Sequence, residues 1–335
     1  MVITADRFGN LLIHRRTAGR SRRPPLLFTA HMDHPAFVVT KVRDARTVEA
    51  TFRGGVQDSY FVGSSVRLHH DGAPPRVGRV IATVSVQDLT DATLNDGSPR
   101  ATIEFDSDGP AALNDVVTWD IGAARIKAGR LHAPACDDLA GVAAALAAFD
   151  AIKPKRGGTP VSVLLTRAEE VGFVGAIAAC QSGLVPRRAR LVCLENSKSF
   201  AESPIGGGPI VRVGDRTSTF DPDLTHRLST IATRLAGEDR RFTFQRRLMP
   251  GGTCEATAFG AFGFTAACLC LPLGNYHNMN EQTRRIDAET IAVSDYLGLV
   301  RLLVAVAESI DDTRQFPSLR DRLAHRFARQ RWLLR

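Results

Sequence analysis

The sequence predicts an α/β protein with a small all-β domain inserted near its front, and three observations carry that prediction. Strand-length apolar runs alternate with helix-length segments through the second half, and several of the runs end directly in acids or a histidine. Between about 42 and 130 the texture changes to short alternating stretches split by Gly, Pro, Asn and Asp. At 335 residues, 44% apolar and 23% charged, the chain has the make-up of a globular protein with room for one large domain and a smaller one. Nothing approaches the ~18 uninterrupted apolar residues of a membrane span, and no basic-then-apolar leader opens the chain, so no membrane is expected. Six cysteines, without C-x-x-C spacing and mostly inside apolar runs, fit reduced core thiols and a cytoplasmic setting.

Taken in order, residues 8–14 read as a turn and strand, and residues 24–30 as a second strand running into His31-Met32-Asp33-His34-Pro35. His31 and Asp33 are two apart at a strand end, the spacing of an imidazole ligand with a carboxylate beside it; a buried, satisfied histidine is the alternative. In the insert, 47–52 and 80–86 have the period of two of half-buried strands, and 65–68, 101–105 and 116–119 also read as strands. Turn signals at 53–55, 71–75 and 95–99 separate them, and His69 and His70 read as surface residues. Asp137-Asp138 then precedes an alanine-rich helix over 142–149. One Asp suffices as a cap, which leaves the other free as a ligand.

The strand over 161–165 leads into Glu169-Glu170-Val171-Gly172, and side-chain alternation places the two acids on different sides, so one can bind a metal while the other handles a proton. A solvated Glu-Glu turn is the bland alternative. A helix starts at 175–180, and a strand over 190–194 ends in Glu195. Gly206-Gly207-Gly208 lacks the Lys-Ser/Thr of a phosphate loop. Further elements follow: a strand at 210–213, a helix at 222–235, a strand at 241–244, a helix at 253–262 and a strand at 264–271. His277 lies just past that last strand, and a long helix over 287–310 closes the domain.

The net charge of +8 is concentrated in the tail, where residues 314–335 hold seven arginines against Asp321. Ser318 with Asp321 resembles a capping box, and Leu323, Phe327 and Leu334 recur at helical spacing. The expectation is an amphipathic helix docked by that face with solvated arginines, rather than a nucleic-acid or membrane arm.

Collected, the element ends supply His31, Asp33, Asp137, Glu169, Glu170, Glu195 and His277, a ligand set suited to zinc, cobalt or manganese. A shared carboxylate in such a set can hold two ions about 3.5–4 Å apart. Ala30-His31-Met32-Asp33, Asp137-Asp138-x-x-Gly141, Glu169-Glu170-Val171-Gly172, Gly251-Gly252-Thr253 and Tyr276-His277 resemble the co-catalytic dinuclear metalloaminopeptidases that include the glutamyl and deblocking, tetrahedral aminopeptidases. The resemblance covers nearly the whole chain. It implies a three-layer zinc-peptidase-like catalytic domain (1–41 and 131–335, with 314–335 a basic C-terminal helix). The insert at 42–130 would be a small β-barrel-like domain serving oligomerisation or substrate access.

By the same resemblance Asp137 bridges two divalent ions, zinc first and otherwise cobalt or manganese. His31 and Glu195 complete one ion, and Glu170 and His277 the other. Glu169 is the general base acting on a metal-bridging hydroxide, and Asp33 orients His31. The implied activity is removal of N-terminal residues from short peptides by a cytoplasmic homo-oligomer.

The chain departs from the family pattern in three places. Glu195 stands where aminopeptidases commonly carry Asp, Cys254-Glu255 where the family tends to Asp, and Gly9-Asn10 comes without the usual preceding helical segment. The first of these keeps open an N-acyl amino acid deacylase or carboxypeptidase on the same scaffold. The last, with the basic tail, keeps open a catalytically silent homologue that serves in binding or assembly.

Overall fold

A computed structural model describes residues 1–16, 21–84, 98–155, 157–312, 317 and 319–334. Strands β1 (Val2–Ala5), β2 (Leu11–His14) and β3 (Leu26–His31) open the chain. Six strands then close into a barrel: β4 (Ala36–Val42), β5 (Thr47–Arg53), β6 (Ser65–His69), β7 (Arg76–Val84), β8 (Arg100–Phe105) and β9 (Val116–Trp119). Phe37, Phe52 and Trp119 of these strands and Phe61 of the β5–β6 connection pack edge to face and tilted at 4.8–5.7 Å between centroids, so the barrel has an aromatic core of its own. The barrel starts at Ala36, ahead of the 42 read from the sequence, because Phe37 and Val39 already alternate into that core.

After the barrel come β10 (Arg125–Lys127), β11 (Arg130–Ala133), helix α1 (Leu139–Ala151), β12 (Val161–Thr166), α2 (Val174–Ser182), β13 (Arg190–Lys198) and β14 (Ile210–Gly214). The chain continues with α3 (Pro222–Glu238), β15 (Gln245–Leu248), α4 (Glu255–Ala261), β16 (Thr265–Leu273), β17 (Met279–Asn280), β18 (Arg285–Ile286), β19 (Glu289–Ala292), α5 (Val293–Ser309) and α6 (Leu319–Gln330). Eight strands form one sheet in the order β1-β2-β12-β3-β13-β16-β14-β15. Its centre, β12, β3, β13 and β16, is parallel throughout, so these four strands end at the same edge.

Both faces of that centre are covered, and the strands accordingly read as near-continuous apolar runs. In β3 the side chains alternate between two cores: Leu26, Phe28 and Ala30 pack toward α1, α3 and α5, while Leu27 packs toward α2 and α4. This is the expected three-layer α/β domain with an inserted barrel. α3 is capped at Asp221, whose carboxylate accepts from the Leu224 N–H at 2.7 Å, with Pro222 at the first helical position.

Several expectations need correction. The strand placed at 241–244 is a turn over Asp239, and pairing with β14 begins only at Gln245. Phe242 and Phe244 alternate because both rings stack on the helical core, 6.4 Å apart, which mimics a strand period. The closing helix begins at Val293, since Glu289–Ala292 pairs antiparallel with β11. The C-terminal helix is not docked: Leu323 and Phe327 are 51% and 60% exposed, and no residue of α6 is buried. Val86, the turn residues 95–97, the Ser318 cap, Arg314 and Arg335 lie outside the described residues.

Candidate metal centre

The parallel edge explains why distant residues meet. His31 is the last residue of β3, and its register partner across the ladder is Thr166, the last residue of β12. Glu195 lies one strand further on, within β13, and His277 follows β16. Glu169 and Glu170 sit beyond their strand on a tight turn, with Ala168 and Phe173 in the left-handed region (φ 55° and 60°), so turn geometry and not strand alternation orients them. Asp137 arrives from the residue pair ahead of α1, where a cis peptide joins it to Asp138.

Three groups of possible ligands result, each with its donor atoms within 4.8 Å of one another: His31, Asp137 and Glu195; Asp137, Glu170 and His277; and His31, Glu169 and Glu170. Asp137 is common to the first two. His31 Nε2 faces Asp137 Oδ1 at 3.4 Å, and His277 Nε2 faces Asp137 Oδ2 at 3.7 Å and Glu170 Oε2 at 3.3 Å. Glu169 stands beside the first group, 3.9 Å from His31 Nε2. All of the residues read from the sequence as ligands or base are therefore in one place.

Asp33 is there too, but it holds something other than the expected partner. His31 Nδ1 meets the Asp33 backbone carbonyl at 3.0 Å, and the carboxylate is 3.7 Å away. That carboxylate instead accepts the N–H groups of Glu169 at 3.1 Å and Glu170 at 3.2 Å. It pins the turn that carries both acids.

The surroundings add residues that the motifs did not single out. Asp138 does not cap α1 with its side chain; its carboxylate accepts from the His31 N–H at 3.3 Å and from Asn196 Nδ2 at 2.7 Å. Gly141 is explained by the same group, because a Cβ there would run into the Asp138 carboxylate. Glu289, fully buried, accepts from the Asp137 N–H and the His277 N–H at 2.9 Å each and so ties the shared ligand to the late histidine. His34 bridges the Asp137 carbonyl at 2.6 Å and Asn278 Oδ1 at 2.9 Å. Asn10 donates to the Gly175 carbonyl at 3.0 Å and accepts from the Arg167 N–H at 3.2 Å, clamping the acid-bearing turn from its far side. The Gly9-Asn10 pair was the available signal for that clamp.

Eight carboxylates crowd this region, among them buried Glu255, which accepts from Thr29 Oγ1 at 3.2 Å. Burial pushes the carboxyl groups of Glu169, Glu170 and Glu195 well above the ordinary range, and neighbouring acids add to it. For His31 burial works against the charged form, but the close approach of Asp137 and the nearby acids outweigh it and raise its pKa. His277, by contrast, is held down to about 4 by burial and is neutral near pH 7, with an electron pair to offer. Asp137 Oδ1, Glu170 Oε1 and Glu195 Oε1 are buried without a hydrogen-bond partner. An unsatisfied buried carboxylate oxygen costs more than the ~1–3 kcal/mol of a neutral group. Asp137 and Glu170 lie in one group with the neutral His277, and Asp137 and Glu195 in another with His31, a donor set that fits divalent cations taking oxygen and nitrogen.

The sequence profile of the M42 glutamyl aminopeptidases matches residues 9–292. The chain belongs to the M42 glutamyl aminopeptidase family. It is thus a metallopeptidase of aminopeptidase type. A relative from Acetivibrio thermocellus, whose name classes it provisionally with the aminopeptidases, is 24% identical over 313 residues, spanning 90% of this chain and 87% of that one. Aminopeptidase APDkam598 from Desulfurococcus kamchatkensis superposes with a TM-score of 0.74 at 18% identity, over 92% of this chain and 85% of that one. The TET1 peptidase of Pyrococcus horikoshii, which can assemble into a tetrahedron or a large octahedral shell, gives 0.73 at 20% identity, over 92% and 89%. At those identities the structural likeness speaks for the fold.

Proposed function

We propose that this M42 member removes the N-terminal residue of short peptides at a centre of two divalent ions. Asp137 is shared between them, His31 and Glu195 complete one, and Glu170 and His277 complete the other. The observation that carries this reading is the set of three orphaned oxygens on Asp137, Glu170 and Glu195, distributed over two ligand groups that share one residue. Zinc fits the mixed nitrogen and oxygen donors first, with cobalt or manganese as alternatives. When bound, the pair lowers the pKa of water and polarises the scissile carbonyl.

The chain's own residues do the rest. Glu169, 3.9 Å from His31 Nε2 and outside the two groups that share Asp137, takes the proton of the attacking water and returns it to the leaving amine. Asp33 fixes the backbone of Glu169 and Glu170, so that the base and a ligand keep their relative positions. Asp138, Glu289 and Asn196 hold the ligand-bearing segments in place. The proposal extends to a cytoplasmic homo-oligomer in which the inserted domain, 42–130 by the sequence reading, serves assembly or substrate access. The homo-oligomer is supported by the assembly described for the TET1 peptidase.

Glu195 favours a second reading, a deacylase or carboxypeptidase on the same scaffold. The test is a panel of dipeptides with a free amine, an acetylated amine or a blocked carboxylate, run on the wild type and on Glu169→Gln. Hydrolysis confined to free-amine substrates, with turnover in Glu169→Gln reduced by about 10²–10⁴ and metal retained, is the expected result. Activity confined to acylated substrates, or to those with a free carboxylate, moves the protein to the second reading. Unchanged turnover in the variant removes Glu169 from the mechanism.

A further inference from the structure

His277 has a left-handed backbone (φ 53°) and is gripped from three directions. Its N–H donates to Glu289 Oε1 at 2.9 Å, its ring stacks on Tyr276 at 3.8 Å between centroids, and its Nδ1 meets the Gly55 carbonyl at 2.9 Å. The third contact comes from the inserted domain, since Gly55 lies just past β5 of the barrel. A carbonyl can only accept. Nδ1 must therefore carry the proton, which leaves the Nε2 electron pair directed at the space beside Glu170 Oε2 and Asp137 Oδ2.

The approach also restricts the residue. A Cβ on Gly55 would lie 3.2 Å from His277 Nδ1 and 3.3 Å from Cε1, a contact the ring can relieve only by moving a few tenths of an ångström. The loop itself is fixed against the segment carrying His31: Gly54 has φ 121°, and a Cβ there would come within 2.7 Å of the Pro35 side chain. On the other side of His277, Met279 and Ile286 of the β17–β18 hairpin pack on the barrel core. The barrel thus holds the histidine through both the Gly55 loop and the hairpin that follows the ring.

We propose that the inserted barrel is a working part of the cation centre, with Gly55 as a positioning residue whose carbonyl sets the tautomer and tilt of His277. The affinity of the ion held by Glu170 and His277 then depends on the barrel loop, and that of the ion held by His31 and Glu195 does not. This inference rests on the two-ion reading above, and the test separates the two.

The metal-free full chain, as wild type, Gly55→Ala, Gly55→Val and Val66→Ala, is titrated with cobalt by chelator competition, following the visible spectrum of bound cobalt and thermal unfolding in parallel. Val66 is fully buried in the same barrel and belongs to its core, so its variant reports the effect of weakening the barrel alone. The expected result is two cobalt ions for wild type and for Val66→Ala. In Gly55→Ala, where the carbonyl stays but the Cβ displaces the ring from it, one of the two should weaken by about tenfold, the low end of the ~10–100-fold that follows loss of an outer partner, and Gly55→Val should hold a single ion. Saturating cobalt should restore the kcat/KM of Gly55→Ala. Two affinities in Gly55→Ala within twofold of wild type, or both weakened equally, overturn the inference while leaving the two-ion reading intact. A wild type that takes up no cobalt refutes that reading, and the inference falls with it.

Discussion

Replacing Asp33 by Asn tests how the turn that carries Glu169 and Glu170 is held. The carboxylate accepts two backbone N–H groups, at 3.1 and 3.2 Å. Asn keeps the shape but offers one carbonyl oxygen, so its amide nitrogen must confront one of the two donors. A hydrogen bond to a charged acceptor contributes about 1.5–3 kcal/mol. The Asp33 side chain is 27% exposed, and water screening brings the loss toward the lower part of that range. If about 1.5–2 kcal/mol of positioning is lost from the base, kcat falls by roughly 10–30-fold at ~1.4 kcal/mol per tenfold. KM should change little and the metal content not at all, because the Asp33 carboxylate reaches the ligands only through the backbone of the turn, and its contact with His31 is made by the backbone carbonyl, which Asn keeps. Steady-state kinetics with metal analysis of the same sample decides it. A kcat within twofold of wild type refutes the positioning role, and loss of metal in step with activity shows that Asp33 acts on the ions instead.

Three further outcomes follow from the structure. Chelation should abolish activity and lower the unfolding temperature, since ions held in thousandfold excess over their dissociation constant stabilise by about 4 kcal/mol; an unchanged melting curve would show that the buried acids do not depend on cations. Burial tends to raise the Asp311 carboxyl, but Arg190 at 2.8 Å, Thr159 at 2.5 Å and the charge of Arg23 hold it below the ordinary range. A depressed folded-state pKa contributes stability above the unfolded value near ~3.9 and loses it as pH falls through the folded one, so Arg190→Leu should shift acid unfolding to higher pH; an identical acid limb in the variant would contradict this. Leu323→Ala and Phe327→Ala on the exposed α6 should change stability by less than about 0.5 kcal/mol, and a loss above 2 kcal/mol by denaturant unfolding would mean that the face is covered.

What the sequence disclosed and what it hid follow from range. The parallel strands were legible because runs such as 161–165 and 264–271 are apolar on both faces, and their ends named the histidines and acids that the sheet edge brings together. The barrel was legible as alternation, although its first strand began earlier than the turn signals suggested. The second ring of the centre was hidden because its contacts span the chain. Glu289 reaches Asp137 across 152 residues, and Gly55 reaches His277 across 222. Asp138 looked like a cap because an acid before a helix usually is one, whereas here the His31 N–H and the Asn196 side chain claim its carboxylate. Phe242 and Phe244 misled through a period of two that comes from ring stacking on a helical core, and β19 was absorbed into the helix it precedes because only its partner β11 identifies it as a strand.

The two-ion centre is tested most directly by the metal content of the purified chain alongside that of Asp137→Ala. A shared carboxylate predicts about two ions per wild-type chain and fewer than one in the variant, because neither ligand group is complete without Asp137. A wild type that purifies and remains without bound metal when zinc, cobalt and manganese are each supplied, or a variant that keeps both ions, would contradict the account.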